Sequence, residues 1–336
     1  MAERQVTIAD VAAAAGVSVA TVSKVINDRY GVAEQTSANV RAVIERLGYT
    51  SSLVAQSMRS RRSNVLAILV SDIEPFSAEL LKGAAHGVRG TGFDLVVFSD
   101  CGQRKDQAGW EQRALARVSA LTDGAILVTP TSVDVTVSIP VVAVDHNVRS
   151  HTMATVDSDN LSGAIAATEY LIQLGHRRIG FLAGRVDLES ARLREQGYAH
   201  ALETAGIAFD SGLVRIGGYR PDAARDGARE LILHSPRPTA IFAANDASAI
   251  ETIAVARSLG LRVPDDLSVV GFDNVPESAL CEPPLTTVEQ AIQQMGYEAV
   301  RLLLGLIENP SAEHAQVVLP TRLVERSSCL AVSEMA

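Results

Sequence analysis

Apolar positions near the start of the chain recur at helical spacing, whereas those beyond residue 64 come in unbroken runs. Ile8, Val11 and Ala12 stand at i, i+3 and i+4, the pattern of an amphipathic helix. Thr7 and Asp10 have the S/T-x-x-D/E spacing that caps such a helix at its start. Gly16 supplies a turn, and Ser18 can cap a second helix that directs Val22, Val25 and Ile26 inward. Val40, Val43, Ile44 and Leu47 predict a third helix over 34–47, closed by Gly48 at the C′ position. Two short helices around a glycine turn form either a helix-turn-helix unit, whose second helix enters the DNA major groove, or a plain helical hairpin. The pattern alone leaves both open. A short helix-competent run, 52–59, and a polar basic stretch, 60–64, follow.

From Val65 the chain alternates strands with helices. The strand-like runs are 65–70, 95–98, 125–128, 141–144, 179–183, 240–243 and 268–272, and helical stretches lie between them. Continuous apolar strands of this kind belong to parallel sheets covered on both faces. Seven such units suit two α/β lobes better than one sheet. Late strand-like segments at 286–288 and 317–319 suggest that the chain recrosses between the lobes.

Ligands of open parallel sheets bind beyond the carboxyl ends of the strands. Polar pairs occupy those ends here: Ser71-Asp72, Ser99-Asp100, Asp145-His146, Asn245-Asp246 and Asp273-Asn274. With Arg194 on a following helix and Tyr219 in a loop, a shared cleft would offer donors, acceptors and an aromatic face. That set suits a polyhydroxylated ligand. The alternative is that each Asp or Asn only caps the next helix.

Composition narrows the classes. At 336 residues with 47% apolar and 21% charged side chains, the chain is an ordered multidomain protein. Its net charge of −9 argues against a protein that coats nucleic acid, yet residues 1–62 carry eight basic against five acidic side chains. A basic head on an acidic body fits a local phosphate-binding surface. Cys101, Cys281 and Cys329 are far apart, with no C-x-x-C pair, which favours a reducing cytosol. No apolar run approaches a membrane span, and no cleavable leader is evident, so a cytoplasmic protein without membrane contact is expected. Walker, Rossmann, nucleophile-elbow and H-E-x-x-H motifs are missing, so no catalytic, cofactor or metal residues are assigned. His176 reads as a structural turn residue and Trp110 as packing.

TIADVAAAAGVSVATVSKVIN (7–27), SLVAQSM, LIQLGHRRIGFLAG, SARLREQGY, FAANDASA, VPDDLSVVGFDN and PPLTTVEQ occur in this order, and the chain resembles the lac/galactose repressor family from about Thr7 to Glu325. The resemblance implies a small all-α helix-turn-helix head with a hinge helix, then a two-lobed core like that of periplasmic sugar-binding proteins. Expected boundaries are 1–50 for the head and 51–64 for the hinge and linker. Lobe 1 covers 65–158 with 289–317 returning to it, lobe 2 covers 159–288 with 318–328, and 329–336 is a tail. The partners implied are a palindromic double-stranded operator, a second copy of the chain and a small-molecule effector, a sugar or oligosaccharide. The tail lacks the tetramer-forming helix of some members, so a homodimer is expected.

By the same resemblance, Val19, Ala20 and Lys24 read bases, and Thr7, Ser18, Thr21, Ser23 and Asn27 lie at the DNA backbone. Many members carry arginine where Lys24 stands, and lysine lacks the planar bidentate fork. Met58 matches an apolar wedge into the minor groove, and Ala55 a small residue that lets two hinge helices approach. So short a helix is marginal alone, isolated helices needing about 12–15 residues, and it is expected to form on operator DNA. In the cleft, Asp145, Ser190, Arg194, Tyr219, Asn245 and Asp273 match effector-holding positions, with Ile292 at an apolar wall. Phe76 matches an aromatic that purine-binding members stack on a base, which makes a purine-coregulated repressor one alternative; a phosphoprotein-coregulated repressor of the same family is another, and a solute-binding protein a more distant one.

Overall fold

The computed structural model describes residues 6–26, 30–49, 62–101, 107–131, 137–147 and 153–332. The expected roles of Asn27, Ala55 and Met58, and most of the hinge, therefore lie outside the described residues. The chain forms two compact units that divide between Ser63 and Asn64.

In the first unit, helices α1 (Ile8–Ala15), α2 (Val19–Ile26) and α3 (Glu34–Leu47) enclose Val11, Ala12, Val22, Val25, Val40 and Val43. Thr7 and Asp10 form the full capping box. Gly16, at φ 68°, ends α1 in the left-handed region, where glycine carries no Cβ penalty. The chain thereby turns, and α2 lies at 104° to α1. That steep angle is the helix-turn-helix geometry rather than an antiparallel hairpin.

The second unit holds two parallel sheets. The first has the order β11-β5-β4-β3-β1-β2, from β1 (Val65–Val70), β2 (Asp94–Ser99), β3 (Gly124–Val128), β4 (Val141–Val144), β5 (Ala154–Ser158) and β11 (Gln316–Leu319). Leu66, Ile68 and Val70 face a core shared with α4 (Pro75–Gly87) and α11 (Ile292–Glu308). Ala67 and Leu69 face Trp110, Leu115 and Val118 of α5 (Gln107–Val118). Both faces are thus covered, which explains the unbroken apolar run. The helices α4 and α11 touch backbone to backbone: a Cβ on Gly83 would lie 1.8 Å from the Gln293 carbonyl oxygen, and one on Gly296 2.1 Å from that of Leu80.

The second sheet has the order β7-β6-β8-β9, from β6 (Ile179–Ala183), β7 (Val214–Ile216), β8 (Ala240–Ala243) and β9 (Ser268–Val270). Helices α6 (Asn160–Gln173) and α7 (Glu189–Thr204) cover one face, and α8 (Pro221–Leu233) and α9 (Asp246–Ser258) the other. An antiparallel ribbon, β10 (Thr287–Glu289) with β12 (Arg322–Val324), adjoins this sheet through the Val270–Thr286 and Asp273–Glu289 bridges.

Two boundary expectations need correction. Glu289 pairs with Arg322 in the ribbon, so the return to the first lobe begins at Gln290. Val318 and Leu319 still pair with Asp157 and Ser158, so β11 stays in the first sheet to its end, and 318–319 do not belong to lobe 2. No apolar run marks β5: Val156 is flanked by Thr155 and Asp157, yet the strand lies inside the sheet between β4 and β11, with Thr155 and Ser158 buried.

Candidate functional site

Each sheet reverses its strand order beside its first strand, at β1/β3 and at β6/β8. Such switch points open a crevice at the carboxyl ends. Both crevices contribute to one cleft of about 800 Å³. Ser71, Asp72 and Thr129 enter from the first sheet, and Arg185, Asn245 and Asp273 from the second.

Arg194 organises the floor. It projects from α7 and is 4% exposed. Its Nε donates to Asn160 Oδ1 at 2.9 Å, and Nη1 donates to the Ala244 carbonyl at 2.5 Å and to Asp273 Oδ1 at 3.3 Å. The guanidinium lies 3.9 Å from the Phe272 ring centroid, within cation–π range. Asp273 also accepts from Gln290 Nε2 at 2.5 Å, and Ser158 Oγ donates to Gln290 Oε1 at 2.8 Å. Gln290, where the chain recrosses, thus ties the floor to the first lobe. Its position at a crossing is visible in sequence only as a break between two patterns.

The electrostatics follow from burial. Burial pushes the Asp273 carboxyl well above the ordinary carboxylate range, and Arg194 opposes that rise. Burial also raises Asp145, again against Arg194. Arg194 itself is penalised by burial, but Tyr219, Asp273 and Asp145 outweigh the penalty and favour its charge. Burial pushes the Tyr219 phenol up to about 12, so it remains a neutral donor at neutral pH.

Tyr219 stands at φ 60° with its ring over Gly184; a Cβ there would come within 2.2 Å of the Tyr219 Cζ. Its hydroxyl is buried with no partner among the described residues. Buried polar atoms are normally satisfied, so this hydroxyl is an unused donor at the edge of the cleft, enclosed against Gly184. Asn245 both caps and lines: its Oδ1 accepts from Ser248 N at 3.0 Å while the residue faces the cleft. On the opposite wall Asp145 Oδ2 accepts from Ser190 Oγ at 3.2 Å.

The polar pairs after the strands split into two roles. Asp145, Asn245 and Asp273 line the cleft together with Phe76, Ser190, Arg194 and Tyr219. Their neighbours Asp246 and Asn274 are structural. Asp246 accepts from Thr287 Oγ1 and from Val275 N, and Asn274 Oδ1 accepts from Arg326 Nη2. Ile292 does not line the cleft: it is 5% exposed, at the start of α11, and packs in the core of the first sheet. Arg185 and Asp187, which the sequence reading does not single out, line the cleft as an ion pair at 2.6 Å. Their only sequence signal is that they follow β6 directly. His176 bridges Thr239 and Ser268 through its two ring nitrogens, a structural role.

In the head, Val19, Ala20, Ser23 and Lys24 fall on one side of α2 at i, i+1, i+4 and i+5. Val19, Ala20 and Lys24 are exposed, while Val22 and Val25 are buried. Ser18 Oγ accepts from Thr21 N at 3.1 Å, capping α2 at its start. Among the described residues no single helix is long and apolar enough to cross a membrane.

A helix-turn-helix unit followed by two parallel-sheet lobes around a polar cleft defines a ligand-controlled DNA-binding protein. Residues 7–52 match the family model of bacterial regulatory proteins, lacI family, and residues 168–329 that of the periplasmic binding protein-like domain. The chain is 34% identical to the HTH-type transcriptional regulator CelR of Thermobifida fusca, over 97% of this chain and 98% of that one. Solved structures agree: a transcriptional regulator CelR–cellobiose complex matches at TM-score 0.73 and 33% identity, over 96% of this chain and 100% of that one. The lac repressor dimer bound to operator and the anti-inducer ONPF matches at TM-score 0.83 and 27% identity, over 98% and 100%. The chain belongs to the lacI family of bacterial transcriptional regulators.

Proposed function

We propose that the chain is a cytoplasmic, homodimeric transcriptional repressor whose operator affinity is set by a sugar held in the cleft. Residues 1–50 act as the DNA-binding head and 51–64 as the hinge, with Met58 its minor-groove wedge and Ala55 the close contact. The two lobes of the core hold the effector. Val19, Ala20 and Lys24 read bases, while Thr7, Ser18, Thr21, Ser23 and Asn27 hold phosphates.

The buried Arg194–Asp273 pair carries this reading. A guanidinium fixed over Phe272 and a carboxylate fixed by Arg194 and Gln290 form a preorganised donor–acceptor set beside Asn245 and the Tyr219 hydroxyl. Vicinal hydroxyls, each giving and taking a hydrogen bond, match that set. The CelR–cellobiose complex and the operator-bound lac repressor support both halves of the reading. Asp145 and Asp273, the carboxylates at the floor and its opposite wall, are held by Ser190, Arg194 and Gln290, which favours binding over catalysis. Phe76, which lines the cleft, favours a nucleobase as the second reading.

The test is fluorescence anisotropy with an operator selected from a randomised palindrome library, titrated with mono- and disaccharides and with hypoxanthine. A sugar should shift operator affinity by roughly 5–150-fold, the usual range of such coupling. Operator binding indifferent to every sugar would overturn the effector assignment, and a shift with hypoxanthine alone would favour the nucleobase.

A further inference from the structure

The cleft continues past the Arg194 floor to a second, differently built region at its mouth. Ile216 ends β7, in register with Ala183 of the adjacent β6, and Val186 lies three residues beyond Ala183. Both line the cleft, and both are largely exposed, Val186 at 79% and Ile216 at 59%. Beside them the Arg185–Asp187 pair closes through two nearly parallel contacts, Nε to Oδ1 at 3.1 Å and Nη2 to Oδ2 at 2.6 Å. Asp72 and Asp100 of the first lobe also line the cleft. The mouth therefore combines an exposed apolar shelf with a hydrogen-bonding edge, unlike the buried, aromatic-backed floor.

Size and charge restrict what can use both regions. A cleft of 800 Å³ stands near the top of the range for small-molecule sites, about 300–1,000 Å³. One pyranose ring on the floor would leave the shelf uncovered. Six carboxylates line the cleft (Asp72, Glu74, Asp100, Asp145, Asp187, Asp273) against three arginines, two of them already paired with Asp187 and Asp273. A phosphorylated or carboxylated ligand would have to displace Asp187 from Arg185 or Asp273 from Arg194 to reach either guanidinium. Sugar rings instead present C–H faces to apolar shelves and hydroxyls to carboxylates and guanidinium groups.

We infer that the effector is an uncharged oligosaccharide of at least two rings, the first seated at Arg194, Asp273 and Asn245 and the second on Val186 and Ile216, its hydroxyls bonded to Arg185 and Asp187. The inference rests on the sugar reading of the cleft and adds ring number and charge to it. Val186, Ile216 and Asp187 are then specificity-determining residues.

Isothermal titration calorimetry on the full chain separates the two. Glucose, xylose, mannose and galactose are each compared with their homodisaccharides, alongside glucose 6-phosphate and hypoxanthine. One disaccharide should bind roughly tenfold or more tighter than its monosaccharide, as a few added hydrogen bonds and an apolar contact allow. In Val186→Ser/Ile216→Ser and in Asp187→Ala the disaccharide should fall to the monosaccharide's affinity, with monosaccharide binding unchanged. These positions are exposed, so unchanged circular dichroism is expected, and unchanged monosaccharide binding reports an intact floor. A monosaccharide that binds as tightly as its disaccharide, or variants that weaken both alike, would overturn the second ring while leaving the sugar reading in place. Tighter binding of the phosphorylated sugar would overturn the charge argument. No response to any sugar, or to hypoxanthine only, would remove both readings.

Discussion

Ser190 Oγ donates across the cleft to Asp145 Oδ2 at 3.2 Å, joining a helix of the second lobe to a strand end of the first. Asp145 holds φ 53°, an uncommon conformation for a residue with a side chain. The next residue fixes it: Asp157 Oδ1 accepts from both His146 N at 3.2 Å and His146 Nδ1 at 2.8 Å. The carboxylate is thus aimed by one lobe at a hydroxyl of the other, along the rim where a ligand must enter. A ligand hydroxyl inserted here would exchange one hydrogen bond for two. Ser190→Ala should therefore weaken effector binding by about ten- to a hundredfold, the worth of one hydrogen bond to a charged group, with little change in ligand-free stability. Calorimetry checks the first and thermal unfolding the second. Unchanged affinity would show that the contact does not take part in binding.

Arg194→Ala should do more than abolish the effector response. It leaves Asp273 buried without its cation, and breaking a buried pair in this way costs roughly 3–5 kcal/mol. Asp273→Asn in the same chain should recover part of that loss, because the carboxamide carries no charge to bury. Urea unfolding of the two variants gives the comparison. Equal stabilities would mean that Arg194, rather than the orphaned Asp273, dominates the cost. Operator binding by the folded fraction should persist in both.

The His146–Asp157 pair predicts a pH dependence. Hydrogen bonding to Asp157 raises the His146 pKa above 6.5, burial opposing, with Asp157, Asp145 and Glu189 adding charge in the same direction. A histidine raised in the folded state binds its proton more tightly there than when unfolded. Its stabilising contribution is complete below the unfolded value near 6.5 and is lost as pH rises through the folded value. Asp157→Asn keeps an acceptor for His146 N but removes the charge. The difference in unfolding free energy between wild type and variant should therefore shrink as pH rises from about 6 to 8. A difference constant across that window would sink the assignment.

These relationships mark where the sequence stops informing. Asp145, Asn245 and Asp273 were legible as cleft residues because all stand at carboxyl ends of apolar runs, and topology sends those ends to one place. The roles of their neighbours were not legible. Asp246 and Asn274 sit at the same strand ends, and only their pairing with Thr287, Val275 and Arg326 shows that they brace the chain crossing instead. Ile292 failed for a related reason: an apolar residue at a helix start suits a cleft wall and a core equally, and the packing of α11 against the first sheet decides for the core. β5 escaped because Thr155 and Ser158 bury polar groups in the middle of a sheet, which no periodicity signals.

The two faces of α2 give the last prediction. Val22 and Val25 are buried between α1 and α3, whereas Val19 and Lys24 are exposed on the other side. Val22→Ala removes buried methyl groups from a core of six buried side chains. Such a deletion costs of order 1–3 kcal/mol and should unfold a head this small, abolishing specific and non-specific DNA binding alike. Lys24→Ala and Val19→Ala leave that core untouched. Each should instead lower affinity for the selected operator, by about 1–3 kcal/mol for a lost base contact, with far less effect on random DNA. Anisotropy titrations on both DNAs, repeated over a salt series, separate these outcomes. A base contact changes discrimination between the two DNAs at every salt concentration. A phosphate contact lowers both affinities together and flattens the salt slope by about one ion. If Lys24→Ala gives the second result, its amine grips the backbone, and the base-reading role falls to Val19 and Ala20.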